Sequence, residues 1–230
     1  QDIIVMDAEG LNERRLTDSP DTRDVHPTWS PDGRSLAFIS TMDGNVDIHR
    51  MYADGSGEQR LTDDSGAEDH PRWNPLSDQI VFEGAFSIKR IDAEGNTETT
   101  VTSTAVDDSH PTWHPNGTDI AYSRDTGGDP AEEIFTDNED GTNPVRFAGS
   151  NGLDNEPTYS TDGEWLFFTD SVEIGFTRIL AKQTRAPYRL IEITNDDFSD
   201  LAPDLGSPVP TVTRTLIGPS GADHGFDPVH

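Results

Sequence analysis

The stretch HPTWSPDG, from His26 to Gly33, decides the fold because the chain repeats it. Variants follow as HPRWNPLSD, HPTWHPNG and EPTYSTDG, beginning at His70, His110 and Glu156. Successive copies lie 40 to 46 residues apart, and a weaker fifth copy lies in register at Asp200 to Pro203. Self-similarity at such a period indicates one structural unit that recurs along the chain.

Each repeat shows the pattern of four short strands. The first strand runs through the Pro and aromatic positions and ends at a Pro/Asp/Asn/Gly turn. A β-rich run such as Leu36 to Ile39 follows, then a strand that ends at a turn such as Ala53-Asp54-Gly55, and finally a short strand such as Arg60-Leu61-Thr62. Four strands per repeat of this length are typical of a propeller blade. We therefore predict an all-β, five-bladed propeller formed by a single domain, residues 1–230.

The chain ends predict how the ring closes. Four predicted blades span about 26–63, 70–103, 110–148 and 156–195. Asp2 to Val5 aligns with a third strand and Arg15 to Asp18 with a fourth, so residues 1–18 complete a blade begun by residues 200–220. This sharing pairs both terminal sheet edges. A six-bladed ring is the alternative.

Composition excludes several classes of function. The chain has 230 residues, of which 44 are acidic and 16 basic, giving a formal charge of -28. Such a field repels nucleic acid and anionic membrane surfaces. The absence of cysteine excludes disulfides and thiolate metal sites. No apolar run approaches the ~18 residues of a membrane span. A chain that starts at Gln1 fits either cleavage after an export signal or a cloning boundary.

A periodic set of acids and histidines is the candidate site. An acid stands two residues before the opening His, Glu or Ala of every repeat, and alternation along a strand places both residues of each pair on one side. The predicted ring around the axis consists of Asp24, Glu68, Asp108, Asp154, Asp200, His26, His70, His110 and Glu156. Its carboxylates suit Ca²⁺, and its histidines admit another divalent cation. Alternatively, each acid caps a turn and each His packs beside its Pro.

Two further expectations follow from the repeats. Anions that share one channel mouth should have raised carboxylate pKa values or a bound cation. The aromatic residues of the first strands should fill the wedges between neighbouring blades, where burial stabilises each by roughly 1.5–3 kcal/mol. These residues are Trp29, Trp73, Trp113 and Tyr159.

The segment from His26 to Asp63 resembles the WD-like propeller repeats of the TolB family, which combine a Pro, an aromatic residue, Ser-Pro-Asp-Gly, an apolar strand, an Asp-Gly turn and a terminal Leu-Thr. Recognisable copies cover nearly the whole chain. The resemblance implies a bacterial protein of the periplasm or cell surface, periplasmic or secreted. Related repeats also form the propellers of prolyl-oligopeptidase-like peptidases and oligogalacturonate lyases.

We therefore predict a non-catalytic protein-binding scaffold, or an accessory subunit of an envelope or membrane complex. We do not expect a peptidase, because the repeats leave no room within the 230 residues for a hydrolase domain with its Gly-x-Ser-x-Gly elbow. The alternative is a metal-dependent carbohydrate-active enzyme of lyase type, or a lectin, that uses the axial channel. A lyase needs a cation for a uronate, and Arg72 is the candidate in a chain otherwise poor in basic residues.

Overall fold

The computed structural model describes residues 1–103, 106–128, 132–149, 152–173 and 176–194. Regular secondary structure in these residues consists of β-strands, which confirms the predicted all-β class. Four sheets contain four antiparallel strands each, and a further sheet contains two. The predicted inner half of the fifth blade, residues 200–220, lies outside the described residues.

Strands follow one another in chain order within every sheet, so each sheet is a simple meander. The two-stranded sheet consists of β1 (Ile4–Val5) and β2 (Arg14–Arg15). The first four-stranded sheet consists of β3 (Asp24–Trp29), β4 (Ser35–Ser40), β5 (Asp47–Tyr52) and β6 (Gln59–Arg60). The second consists of β7 (Asp69–Trp73), β8 (Gln79–Gly84), β9 (Ser87–Asp92) and β10 (Glu98–Thr100). The third consists of β11 (Asp108–Trp113), β12 (Asp119–Asp125), β13 (Glu132–Asn138) and β14 (Val145–Ala148). The fourth consists of β15 (Leu153–Tyr159), β16 (Trp165–Glu173), β17 (Phe176–Gln183) and β18 (Leu190–Glu192).

The turn after each first strand explains the Ser-Pro-Asp-Gly part of the repeat. Asp32 accepts hydrogen bonds from the Ser30 hydroxyl at 2.7 Å and from the Arg34 backbone N–H at 3.0 Å. Gly33 then adopts a φ of 68°, a left-handed conformation that glycine reaches without steric cost. The turn returns the chain into the apolar second strand, whose six residues are all buried in β4.

Neighbouring sheets pack face to face through apolar clusters. One cluster joins Ile39 and Ile48 of the first sheet to Trp73 and Phe82 of the second. Comparable clusters join the second sheet to the third and the third to the fourth. The first strands β3, β7, β11 and β15 contact one another in sequence, so they form the inner edge of the array. These are the relations between consecutive blades of a propeller.

The predicted role of the aromatic wedge holds for Trp73 and Trp113, which are buried, and Tyr159 is half-buried. Trp29 differs, with 44% of its surface exposed. Each wedge residue packs against the preceding sheet, and for Trp29 that sheet contributes only β1 and β2 in the described part of the chain. These two strands belong to the same array, since Ile3 and the partly buried Leu16 pack in one cluster with residues of the first sheet.

Candidate functional site

The structure divides the predicted ring into two groups. Four of its acids, Asp24, Glu68, Asp108 and Asp154, are buried. The three histidines and Glu156 keep part of their surface exposed. Asp200 lies outside the described residues.

Three of the buried acids accept hydrogen bonds from neighbouring side chains. Asp24 accepts a hydrogen bond from the Ser40 hydroxyl at 2.7 Å, and Glu68 accepts one from the Thr62 hydroxyl at 2.9 Å. Asp108 receives two hydrogen bonds from the Arg124 guanidinium, at 2.6 and 2.9 Å. Asp24 and Asp108 are thus paired within their own sheets, whereas Glu68, which precedes β7, is paired with the end of the first blade.

The histidines meet across the inner edge of the array. The rings of His26 and His70, from the first and second sheets, have centroids 4.8 Å apart. The rings of His70 and His110, from the second and third sheets, have centroids 4.1 Å apart. Glu156 occupies the same place on β15 and adds a negative charge near Arg72. Three blades therefore bring three imidazoles into one cluster.

Backbone geometry separates the histidines from the buried acids. Each residue before the repeat proline has a positive φ, between 50° and 52°, at His26, His70, His110 and Glu156. The strand register shifts at each of these positions, as in a β-bulge. The period-two alternation expected from the sequence is interrupted there. The acid therefore enters the blade interior and the histidine joins the inner cluster.

Two carboxylates complete the cluster, and neither was among the predicted site residues. Asp69 Oδ1 lies 2.5 Å from His26 Nδ1 and 3.8 Å from His70 Nδ1. Glu83 Oε2 lies 3.2 Å from His70 Nδ1 and accepts a hydrogen bond from the His110 backbone N–H at 3.3 Å. Two overlapping groups result, each with ligand atoms within 4.8 Å of one another: His26, Asp69 and His70, and His70, Glu83 and His110.

The cluster is electrostatically coupled. Burial acts to raise the pKa of Asp69, but the hydrogen bond from His26 and the backbone N–H of His70 hold it below its usual value. Burial acts to lower the pKa of His70, but the hydrogen bond to Glu83 and the charge of Asp69 raise it. Burial and the neighbouring charge of His70 lower the pKa of His110. The three imidazoles thus occupy different environments despite equivalent positions in the repeat.

The surroundings of the cluster are acidic. Asp107 follows the end of the second blade, and Asp125 and Glu132 flank the loop between β12 and β13. Burial and then the charges of Glu83, Asp108 and Asp125 raise the pKa of Asp107. This acidic face would attract cations or a basic partner surface.

Glu68 gives a pH-dependent prediction. Burial raises the pKa of its carboxyl from 4.5 to about 7, although the hydrogen bond from Thr62 acts to lower it. The protonated folded form contributes stability that is full below pH 4.5 and is lost as the pH rises through about 7. Glu68 should therefore contribute up to about 3 kcal/mol to the fall in the unfolding free energy of the wild type between pH 5 and pH 8. Glu68→Gln should lack this part of the fall.

Urea denaturation of both proteins at the two pH values measures this difference. The exposed residue Glu9, in the turn between β1 and β2, provides the control, since Glu9→Gln should leave the fall between pH 5 and pH 8 nearly unchanged. An equal fall in the wild type and Glu68→Gln would show that Glu68 ionises normally in the folded protein.

Comparison with known proteins identifies the repeats. The family model described as the TolB beta propeller domain matches residues 1–148. An uncharacterized protein of Agrobacterium fabrum is 38% identical over 81 residues, which cover 35% of this chain and 27% of that protein. The Tol-Pal system protein TolB of Geobacter sulfurreducens is 37% identical over 67 residues, which cover 29% of this chain and 15% of that protein. These matches span about a quarter or less of the length of these two curated relatives.

A solved structure supports the fold. The crystal structure of TolB from Acinetobacter baumannii superposes with a TM-score of 0.67 at 17% identity, covering 84% of this chain and 48% of that one. At this identity the likeness concerns the fold alone. In the described residues, no helix has the length and apolar character required to cross a membrane.

Proposed function

The chain belongs to the TolB β-propeller domain family, and we propose that it is a non-catalytic protein-binding scaffold or accessory subunit in the bacterial envelope. The family match confirms the resemblance predicted from the repeats. Relatives named Tol-Pal system protein TolB support a protein partner and a periplasmic or secreted location. The surface of the propeller indicates the chemistry of this partner.

The observation that carries this proposal is Phe86 at the tip of a hairpin. Gly84 of β8 pairs with Ser87 of β9, which leaves Ala85 and Phe86 as a two-residue loop. Phe86 is 71% exposed and has a φ of 63°. The left-handed conformation costs an ordinary residue roughly 1–2 kcal/mol. Neither packing nor backbone preference favours an aromatic residue here, which supports a role in contact with a partner.

The charge around this hairpin indicates the chemistry of the partner. Glu83 stands at the base of the hairpin on β8, and Asp69 is its direct neighbour across to β7. Exposed acids Asp63 and Asp64 precede the same strand. With a net charge of -28 for the chain, an aromatic anchor within an acidic rim favours a protein that offers a basic surface and an apolar pocket.

A pull-down with two matched variants tests this proposal. Phe86→Gly suits the positive φ, so the fold should be kept, whereas Leu76→Ala removes an exposed apolar side chain from the turn at the opposite end of β8. Immobilised wild type and Leu76→Ala should capture the same partner from a bacterial envelope extract, more weakly at high salt. Phe86→Gly should bind that partner at least about tenfold more weakly. Equal capture by Phe86→Gly would exclude this surface.

The second candidate is a metal-dependent carbohydrate-active enzyme of lyase type, or a lectin. The histidine–carboxylate cluster and Arg72 favour it. Burial lowers the pKa of Arg72, whereas the charges of Glu156 and Asp69 act to raise it. A glycan-binding screen and a uronate lyase assay, both with added Mn²⁺, distinguish the candidates. The scaffold proposal expects neither binding nor turnover, because the acidic rim repels acidic polysaccharides.

We also propose that the ring has five blades, with residues 200–220 supplying the inner strands beside β1 and β2. The two-stranded sheet and the exposed Trp29 support this closure. In the full chain, Trp29→Ala should then lower the unfolding free energy by at least about 2 kcal/mol, since the closed ring buries its side chain. Urea denaturation measures the loss, and a change within about 0.5 kcal/mol, as for ordinary surface positions, would argue against closure at this face.

A further inference from the structure

We propose that His26, Asp69 and His70 bind one divalent transition-metal ion at the inner edge of the first two sheets. The inference does not depend on the protein partner proposed above, since it concerns side chains that already lie together in this chain. Their ligand atoms lie within 4.8 Å of one another.

Asp69 is the centre of this group. Its Oδ1 atom lies 2.5 Å from His26 Nδ1 and 3.8 Å from His70 Nδ1. The side chains of His26, Asp69 and His70 are 39%, 40% and 23% exposed, so the site is accessible to an ion yet partly shielded from solvent. Small side-chain movements would bring the three ligand atoms to the ~2.0–2.2 Å metal distances typical of nitrogen and carboxylate ligands.

The acid pair in the second sheet is an exception to the repeat. Asp69 and Glu83 are direct cross-strand partners. The corresponding pairs in the other sheets are uncharged, namely Val25 with Ile39, Ser109 with Ser123, and Asn155 with Thr169. Like charges directly opposite each other destabilise a sheet. The propeller fold does not require this pair, and a bound cation would offset its repulsion.

Glu83 has a supporting place in this arrangement. Its Oε2 atom lies 3.2 Å from His70 Nδ1, on the side of His70 that faces the third sheet. One ring nitrogen cannot both donate a proton to Glu83 and bind an ion. An ion on Nε2 of His70 would keep this hydrogen bond and use Glu83 to orient the ring, whereas an ion on Nδ1 would displace it.

The ligand types select the class of metal. Two imidazoles and one carboxylate suit Zn²⁺ and similar transition-metal ions. Ca²⁺ takes six to eight oxygen ligands, but the acids Asp24, Glu68 and Asp108 are buried and hydrogen-bonded to other side chains. Three protein ligands would leave a coordination position open for water or a ligand atom.

His110 is the matched control. It has the same position in the repeat and the same φ of 50° as His70, and its ring also lies in the cluster, tilted by 46° against that of His70. However, its Nδ1 atom lies 3.0 Å from the Ser109 hydroxyl, and it belongs to the group that lacks Asp69. Asparagine tolerates the left-handed conformation, so His26→Asn, His70→Asn and His110→Asn are comparable changes.

Titration calorimetry of the full chain with Zn²⁺ and with Ca²⁺ tests the proposal. The wild type should bind one Zn²⁺ more tightly than Ca²⁺. His26→Asn, His70→Asn and Asp69→Asn should each weaken Zn²⁺ binding at least about tenfold, and His110→Asn should stay within about threefold of the wild type. Circular dichroism and metal-free melting establish that each variant is folded.

Three results would overturn the proposal. The first is a wild type that binds no Zn²⁺. The second is tighter binding of Ca²⁺ than of Zn²⁺. The third is a loss of Zn²⁺ binding in His110→Asn equal to that in folded His26→Asn, because this would place the ion in the other group.

Discussion

Asp108→Ala is expected to lower the unfolding free energy by about 3–5 kcal/mol, the loss typical when one partner of a buried ion pair is removed. Asp108 is fully buried and accepts two hydrogen bonds from Arg124, whose side chain is only 11% exposed. The guanidinium also lies over the rings of Tyr122 and Phe135, at 5.1 and 4.7 Å. Without the carboxylate, a cation stays in the blade interior with little access to water.

Urea denaturation with two companion variants checks this mechanism. Asp108→Ala with Arg124→Met should recover part of the loss, because the unpaired charge is gone. Asp170→Ala breaks an ion pair between the second and third strands of the fourth sheet, but Arg178 is 37% exposed and keeps Glu192 at 3.2 Å, so the loss should be smaller. A loss under about 1 kcal/mol for Asp108→Ala, or no recovery in the double variant, would contradict a buried ion pair at this position.

Trp113→Ala is the second large effect, with an expected loss of about 3–5 kcal/mol. Trp113 is 6% exposed and packs with Val81 and Ile88 of the second sheet. Its indole N–H donates a 3.0 Å hydrogen bond to the backbone carbonyl of Arg72. Truncation removes this hydrogen bond and leaves a cavity between two blades, which cannot close fully around it.

Leu76→Ala provides the control for Trp113→Ala in the same urea titrations. Leu76 is 70% exposed in the turn between β7 and β8, so its truncation should change stability by no more than about 0.5 kcal/mol. Comparable losses in the two variants would mean that the aromatic position does not join neighbouring blades.

The repeat predicts the fold well because propeller packing depends on the residues that recur. The Pro, aromatic and Asp-Gly positions place the first strand and its turn, and the apolar run Leu36 to Ile39 falls within β4. Trp29 shows where this inference ends. Its burial depends on a sheet whose inner strands are predicted from residues 200–220. This pairing joins the two ends of the chain, and the local sequence pattern does not predict it.

Only the site residues that recur in the repeats could be predicted from the sequence. Periodicity finds His26, His70 and His110, which the fold brings into one cluster. It misses Asp69 and Glu83, because they occur in one blade only, and the signal that could have revealed them is this departure from the repeat. Strict alternation also predicts, wrongly, that the histidines lie beside the buried acids. A positive φ before each proline interrupts the strand, and hydrophobic patterning does not reveal it.

An anomalous difference map from crystals of the full chain grown with Zn²⁺, recorded at the zinc absorption edge, tests the metal site most directly. We predict one peak, about 2.0–2.2 Å from ligand atoms of His26, Asp69 and His70. The absence of a peak there, or a peak that instead lies against Asp24, Glu68 and Asp108, would contradict the assignment of this cluster as a binding site.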